Sequence, residues 1–118
     1  MGVTIGNDAG KPADLLQGTL ELLILRTLAS GEKHGYEIAE WIHISSAETL
    51  SVEEGALYPA LHRLEQRRWL QAEWRPSETG REAKFYSLTR AGRKQLAVEK
   101  ESWNRLSVAV RLIFDGGE

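Results

Sequence analysis

Cysteine is absent from the 118 residues, which excludes a disulfide framework and any thiolate metal site. Long apolar runs are missing too: the longest, Leu22 to Leu25, is far too short to span a bilayer. Residues 1–13 lack the basic start and apolar stretch of a secretory signal. The three histidines, His34, His43 and His62, have no ligand-like spacing to one another or to clustered carboxylates, so no metal is expected. Neither a nucleophile–base arrangement nor a phosphate-binding glycine loop occurs, so neither an enzyme nor a cofactor is expected. These absences together lead us to expect a cytoplasmic protein without a membrane partner.

An excess of positive charge is lacking as well, with a formal net charge of −2. The distribution of charge is more informative than its sum. Residues 1–61 carry three basic and nine acidic side chains, whereas residues 62–94 carry nine basic and four acidic ones. A basic block inside an acidic chain is the footprint expected of a nucleic-acid binder. An unevenly charged solvated surface would give the same pattern, so charge alone does not decide.

The apolar pattern orders the elements. Asp14 to Gln17 reads as a capping box that opens a helix ending at Ser30-Gly31. Its leucines surround the helix instead of forming one stripe, so it must be covered on more than one side, with a second subunit as the expected cover. A second helix is expected from near His34 to near Ser45, with Ile38, Trp41 and Ile42 facing the core. Ser51 to Glu54 reads as another capping box, opening a third helix that ends near Arg68. Leu57, Leu61 and Leu64 form its buried stripe. Leu70, Ala72 and Trp74 alternate with polar residues, which predicts a strand. A polar tip from Pro76 to Ala83 leads to a returning strand over 84–88. Thr89 then caps a last helix that runs to about Phe114, in which Leu96, Trp103 and Val110 recur every seven residues.

Three helices, a hairpin and a helix make a mainly α (α+β) fold, a winged helix-turn-helix with a C-terminal dimerisation helix. The expected division is a disordered tail over 1–13, the DNA-binding domain over 14–90 and the dimerisation helix over 91–118. A helix that reads a major groove needs an anchored inner stripe and an outer face able to approach bases closely. On the third helix Gly55 is small and lies in the first turn, Tyr58, His62 and Arg63 can donate hydrogen bonds, and Pro59 stands unusually in the interior. Arg75, Arg81 and Lys84 flank the hairpin tip, where a wing meets phosphates. Lys33 and His34 lie at the start of the second helix, whose free N–H groups attract an anion.

The chain resembles the PadR family of bacterial transcriptional regulators over roughly residues 14–114. The matching stretches are Leu16 to Leu20, His34 to Ile38, Gly55 to Glu65 and Lys84 to Gly92, with the Leu-Tyr-Pro-Ala-Leu core at 57–61 the most specific. The resemblance implies a homodimeric repressor of the compact subfamily that binds a near-palindromic double-stranded operator. It carries Gly55, Tyr58, Pro59 and Arg63 over as recognition-helix positions, and Arg81 and Lys84 as wing positions. It also implies a small planar aromatic effector stacked on Trp103 between the subunits. Packing of Trp103 in the dimer seam is the competing reading. The expected interface is Leu16, Leu20, Leu96, Trp103, Leu106, Val110 and Ile113. The alternative function is a winged helix that docks a protein partner without touching DNA.

Overall fold

The structure, a computed structural model, describes residues 3–5 and 13–116. Helix α1 spans Ala13–Ala29. Leu20, Ile24, Leu25 and Leu28 are buried along it, and so is Thr27, whose hydroxyl donates to the Leu23 carbonyl at 2.7 Å. The many-sided cover that its sequence demands comes largely from this chain itself. Leu20 is only 1% exposed, so it is a core residue and not the interface residue expected from the sequence. Leu16, expected beside it at the interface, has a side chain outside the described residues, as do the side chains of the expected Asp14–Gln17 cap. The helix stops at Ser30-Gly31, where Gly31 adopts φ 138°, a conformation that disfavours any side chain.

Strand β1 (Val3–Ile5) corrects two expectations at once. It pairs in parallel with β3 (Leu50–Val52), and Ile5 is 3% exposed, so these three residues are not a loose tail. The rest of the expected tail, apart from Ala13 at the start of α1, lies outside the described residues. The pairing holds Ser51 extended within β3, so the Ser51–Glu54 capping box does not form. Helix α3 begins later, at Glu54, and runs to Gln66. Glu53 is its N-cap, makes no side-chain capping bond, and donates its own N–H to the Ile5 carbonyl at 3.1 Å. A strand partner has replaced a side-chain cap.

Between these elements, β2 (Lys33–His34) leads into α2 (Gly35–Ser45). The His34 ring accepts from the Glu37 N–H while the Glu37 carboxylate accepts from the His34 N–H, a reciprocal cap. Leu57, Ala60, Leu61 and Leu64 bury the inner side of α3 against the same core as Ile38 and Ile42 of α2.

The hairpin consists of β4 (Leu70–Pro76) and β5 (Glu82–Leu88), in register from Leu70 opposite Leu88 to Pro76 opposite Glu82. Strand β2 pairs with the other edge of β5, giving the antiparallel order β2-β5-β4. Leu70 is buried, Ala72 half-buried and Trp74 exposed, so the hairpin leaves the body of the protein as it approaches its tip. Gly80, at φ 85°, closes that tip.

Helix α4 (Arg90–Gly116) is capped by Thr89, whose hydroxyl accepts from the Gly92 N–H and donates to the Arg68 carbonyl. Leu96 packs on the core, but within residues 101–116 every residue except Ser107 is exposed, Trp103, Leu106 and Val110 to just under half. The order of three helices, hairpin and helix, with its small antiparallel sheet, is the expected winged-helix architecture.

Gly92 seats the start of α4 directly on the Trp69 carbonyl, where an added Cβ would collide with backbone oxygen. Gly92→Ala is expected to cost about 1–3 kcal/mol of stability, the usual range for forced overpacking, read from the urea midpoint.

Candidate nucleic-acid interface

Helix α2, helix α3 and the wing converge on an open groove of about 890 Å³, lined by Gly35, Tyr36, Tyr58, Trp74, Arg81 and Lys84 among others. Tyr58 forms its floor by leaning across the start of α2. A Cβ at Gly35 would lie 2.6 Å from the Tyr58 hydroxyl, which explains a glycine in the first turn of α2. Burial, and secondarily the Glu54 carboxylate, push the Tyr58 phenol above its ordinary value. The protonated phenol is a hydrogen-bond donor available to the groove.

The structure divides the residues expected at a DNA surface. Gly55, Pro59 and His62 are exposed on α3, and Tyr58 is partly so. Arg81 stands exposed at the wing tip, with no ion pair among the described residues. The others are engaged elsewhere. Lys33 does not reach outward: its ammonium donates to Ser30 Oγ at 2.9 Å and to the carbonyls that end α1, and it lies over the Trp41 ring. His34 is occupied in capping α2: its ring accepts from the Glu37 N–H, and its own N–H donates to the Glu37 carboxylate. Arg75 is paired with Glu32 and Glu73 and rests 4.0 Å from the Phe85 ring centre.

Arg63 departs furthest from expectation. It turns along α3 toward α1, where its Nε donates to Glu21 at 2.8 Å, and Arg67 donates to the other oxygen of the same carboxylate at 3.1 Å. The reason is partly electrostatic: Glu21 is only 12% exposed at its side chain, and an acid that poorly solvated requires a cation. Lys84 lines the groove, but its ammonium donates to Glu65 of α3 at 2.9 Å. That hydrogen bond raises its pKa above the ordinary lysine value.

These pairings change the meaning of the charge pattern. Glu21 and Glu32, from the acidic first half, neutralise Arg63, Arg67 and Arg75 of the basic block. Three of the nine cations of the basic block are thus engaged by acids of the first half. Sequence reasoning also missed two groove residues. Tyr36 is 70% exposed and Trp74 64% exposed, both large surfaces for contact with a partner. Trp74 had a signal, its place at the end of an alternating strand just before the tip, but alternation alone assigned it inward.

A sequence profile described as the transcriptional regulator PadR-like family matches residues 24–98. The chain belongs to that family. A transcriptional regulator from Clostridium thermocellum superposes with a TM-score of 0.75 at 28% identity, over 83% of this chain and 95% of its own. A PadR-like transcriptional regulator from Bacillus cereus gives a TM-score of 0.71 at 30% identity, over 86% of this chain and 96% of its own. An uncharacterized protein from Lysinibacillus sphaericus is 26% identical over 90% of this chain and 97% of its own. In this PadR-like regulator α2 and α3 are the helix-turn-helix, and β4 with β5 is the wing.

Because Arg63 holds a poorly solvated carboxylate, Arg63→Ala is expected to lower stability by about 1–3 kcal/mol. Arg81→Ala is expected to leave stability within about 0.5 kcal/mol. Paired urea titrations check both.

Proposed function

We propose that this PadR-like protein is a cytoplasmic homodimeric repressor that reads a near-palindromic DNA operator with α3 and steadies it with the wing. The observation that carries this reading is one juxtaposition. Tyr58, which shares the exposed surface of α3 with Gly55, Pro59 and His62, lines one groove together with Trp74 and Arg81 of the wing. Small residues allow close backbone approach, phenol and imidazole supply donors to base edges, and the guanidinium supplies a phosphate contact. Arg63 is not part of this reading, since its hydrogen bond to Glu21 gives it a structural task.

Dimerisation is supported by α4. Trp103, Leu106, Val110 and Ile113 are exposed on its C-terminal half, and Phe114 beside them is exposed too. So many large apolar side chains on one helix of a single chain mark an association surface. A second copy of the same helix is the simplest self-complementary cover. Leu96, packed on the core, is left to anchor α4 instead. An effector role for Trp103 is supported by two shallow apolar cavities that meet at its ring. One is about 260 Å³ and lies against Gly18, Thr19 and Leu22 of α1, and the other is about 600 Å³ and lies toward Val110 and Phe114. A flat aromatic molecule stacked there would sit at the seam between protomers and bias their geometry.

Protein docking through the groove is the competing function, and salt separates the two, since binding through phosphate contacts weakens steeply as salt rises. Fragments recovered by selection from genomic DNA are expected to bind with that dependence. Tyr58→Ala and Arg81→Ala are each expected to weaken binding to such a fragment by about 1–3 kcal/mol, measured by fluorescence anisotropy. Wild-type affinity in both would remove the groove from the interface. Leu106→Glu is expected to give monomers by light scattering, and an unchanged dimer would move the subunit contact off α4.

A further inference from the structure

Four cations expected at the DNA surface are held by groups of the same chain, and the bonds that hold them are unequal. Glu21 serves both Arg63 and Arg67 and is 12% exposed, so opening it would strand a poorly solvated charge. The Lys84–Glu65 pair joins side chains 30% and 33% exposed. Ion pairs this accessible to water are weak, and a competing anion can replace one partner at little cost. Among the described residues neither Lys84 nor Glu65 has a second ion pair, so nothing else holds the ammonium back.

Lys84 lies opposite Trp74 in the wing and lines the groove, whereas Glu65 lies in the last turn of α3, outside the groove lining. The ammonium sits 5.5 Å from the centre of the Tyr86 ring, which itself lines the groove. Four carboxylates already line the groove, those of Glu37, Glu40, Glu78 and Glu82, so each cation there has a large effect on phosphate affinity.

We propose that Glu65 limits the protein's affinity for duplex DNA. It holds Lys84 in the free protein, yields it to a backbone phosphate on the duplex, and leaves its own negative charge facing that phosphate. The ligand class is the phosphodiester backbone, and the effect is independent of base sequence. The inference rests on the DNA-binding reading of the groove and adds a built-in restraint to it, keeping the regulator removable from its site.

Glu65→Gln tests this, because the amide oxygen can still accept from Lys84 while the charge is gone. The probe is a mixed-sequence duplex of about 30 base pairs, titrated by fluorescence anisotropy between about 50 and 200 mM potassium chloride. At the lowest salt the variant is expected to bind roughly three- to tenfold tighter. Its dependence of log Kd on log salt is expected to steepen by about one per protomer. Adding Lys84→Gln to the variant is expected to abolish both gains. Equal or weaker binding at an unchanged slope, or a gain that survives removal of Lys84, overturns the inference while leaving DNA binding intact. A wild-type protein with no salt-dependent affinity for the duplex overturns the DNA-binding reading, and this inference with it.

Discussion

Burial of Leu20, Ile24, Leu25 and Leu28 puts the middle of α1 out of reach of water, and the rest of the fold is arranged around that fact. Helices α2, α3 and α4 and strands β1 and β5 all pack on this one helix. Each buried leucine or isoleucine contributes roughly 1.5–3 kcal/mol, against a total stability of about 5–15 kcal/mol for a domain of this kind. Helix α3 is therefore positioned from behind. Its inner residues Leu57, Ala60, Leu61 and Leu64 are fixed on the core, which leaves the outer surface free to vary without loss of fold.

Glu21 adds a polar constraint to that packing. By taking Arg63 on one oxygen and Arg67 on the other, it ties the end of α3 to α1. The same contact removes two arginines from the pool available to phosphate. Structural and functional demands compete for the same residue type, and burial decides the contest: the more enclosed the carboxylate, the more firmly its cation is committed. Arg81, at an exposed tip with no acid in ion-pair range among the described residues, is uncommitted by the same rule.

The order and type of the main elements were legible because local signals and tertiary packing agree. Leucines spaced for one helical stripe are buried on α3, and Thr89 caps α4 as its position foretold. The start of α3 was illegible for a physical reason. Ser51 and Glu54 have the spacing of a capping box, but β1, which pairs Thr4 with Ser51 47 residues later in the chain, holds Ser51 in a strand, and no local window contains that partner. Family resemblance and outer-face reasoning placed Tyr58 and Arg81 in or beside the groove. They could not see that Arg63 would turn aside, because its partner Glu21 is 42 residues away. Charge counting failed in the same way, since it cannot tell a cation facing solvent from one facing an acid of the same fold.

The last helix raises a different constraint. Its first part, around Gly92 and Leu96, is seated on the body of the chain, Trp103 and Leu106 still border α1, and the apolar side chains from Val108 onward are mostly exposed. Isolated helices shorter than about 12–15 residues are marginal in water, so the outer half of α4 depends on continuity with the packed first half and on cover for its apolar side chains. On the homodimer reading, the partner's helix supplies the missing burial, and ordering of α4 is coupled to association. Subunit geometry then sets the distance between the two recognition helices. On the same reading, a molecule stacked on Trp103 would bind where α4 meets its partner, and so could shift that distance.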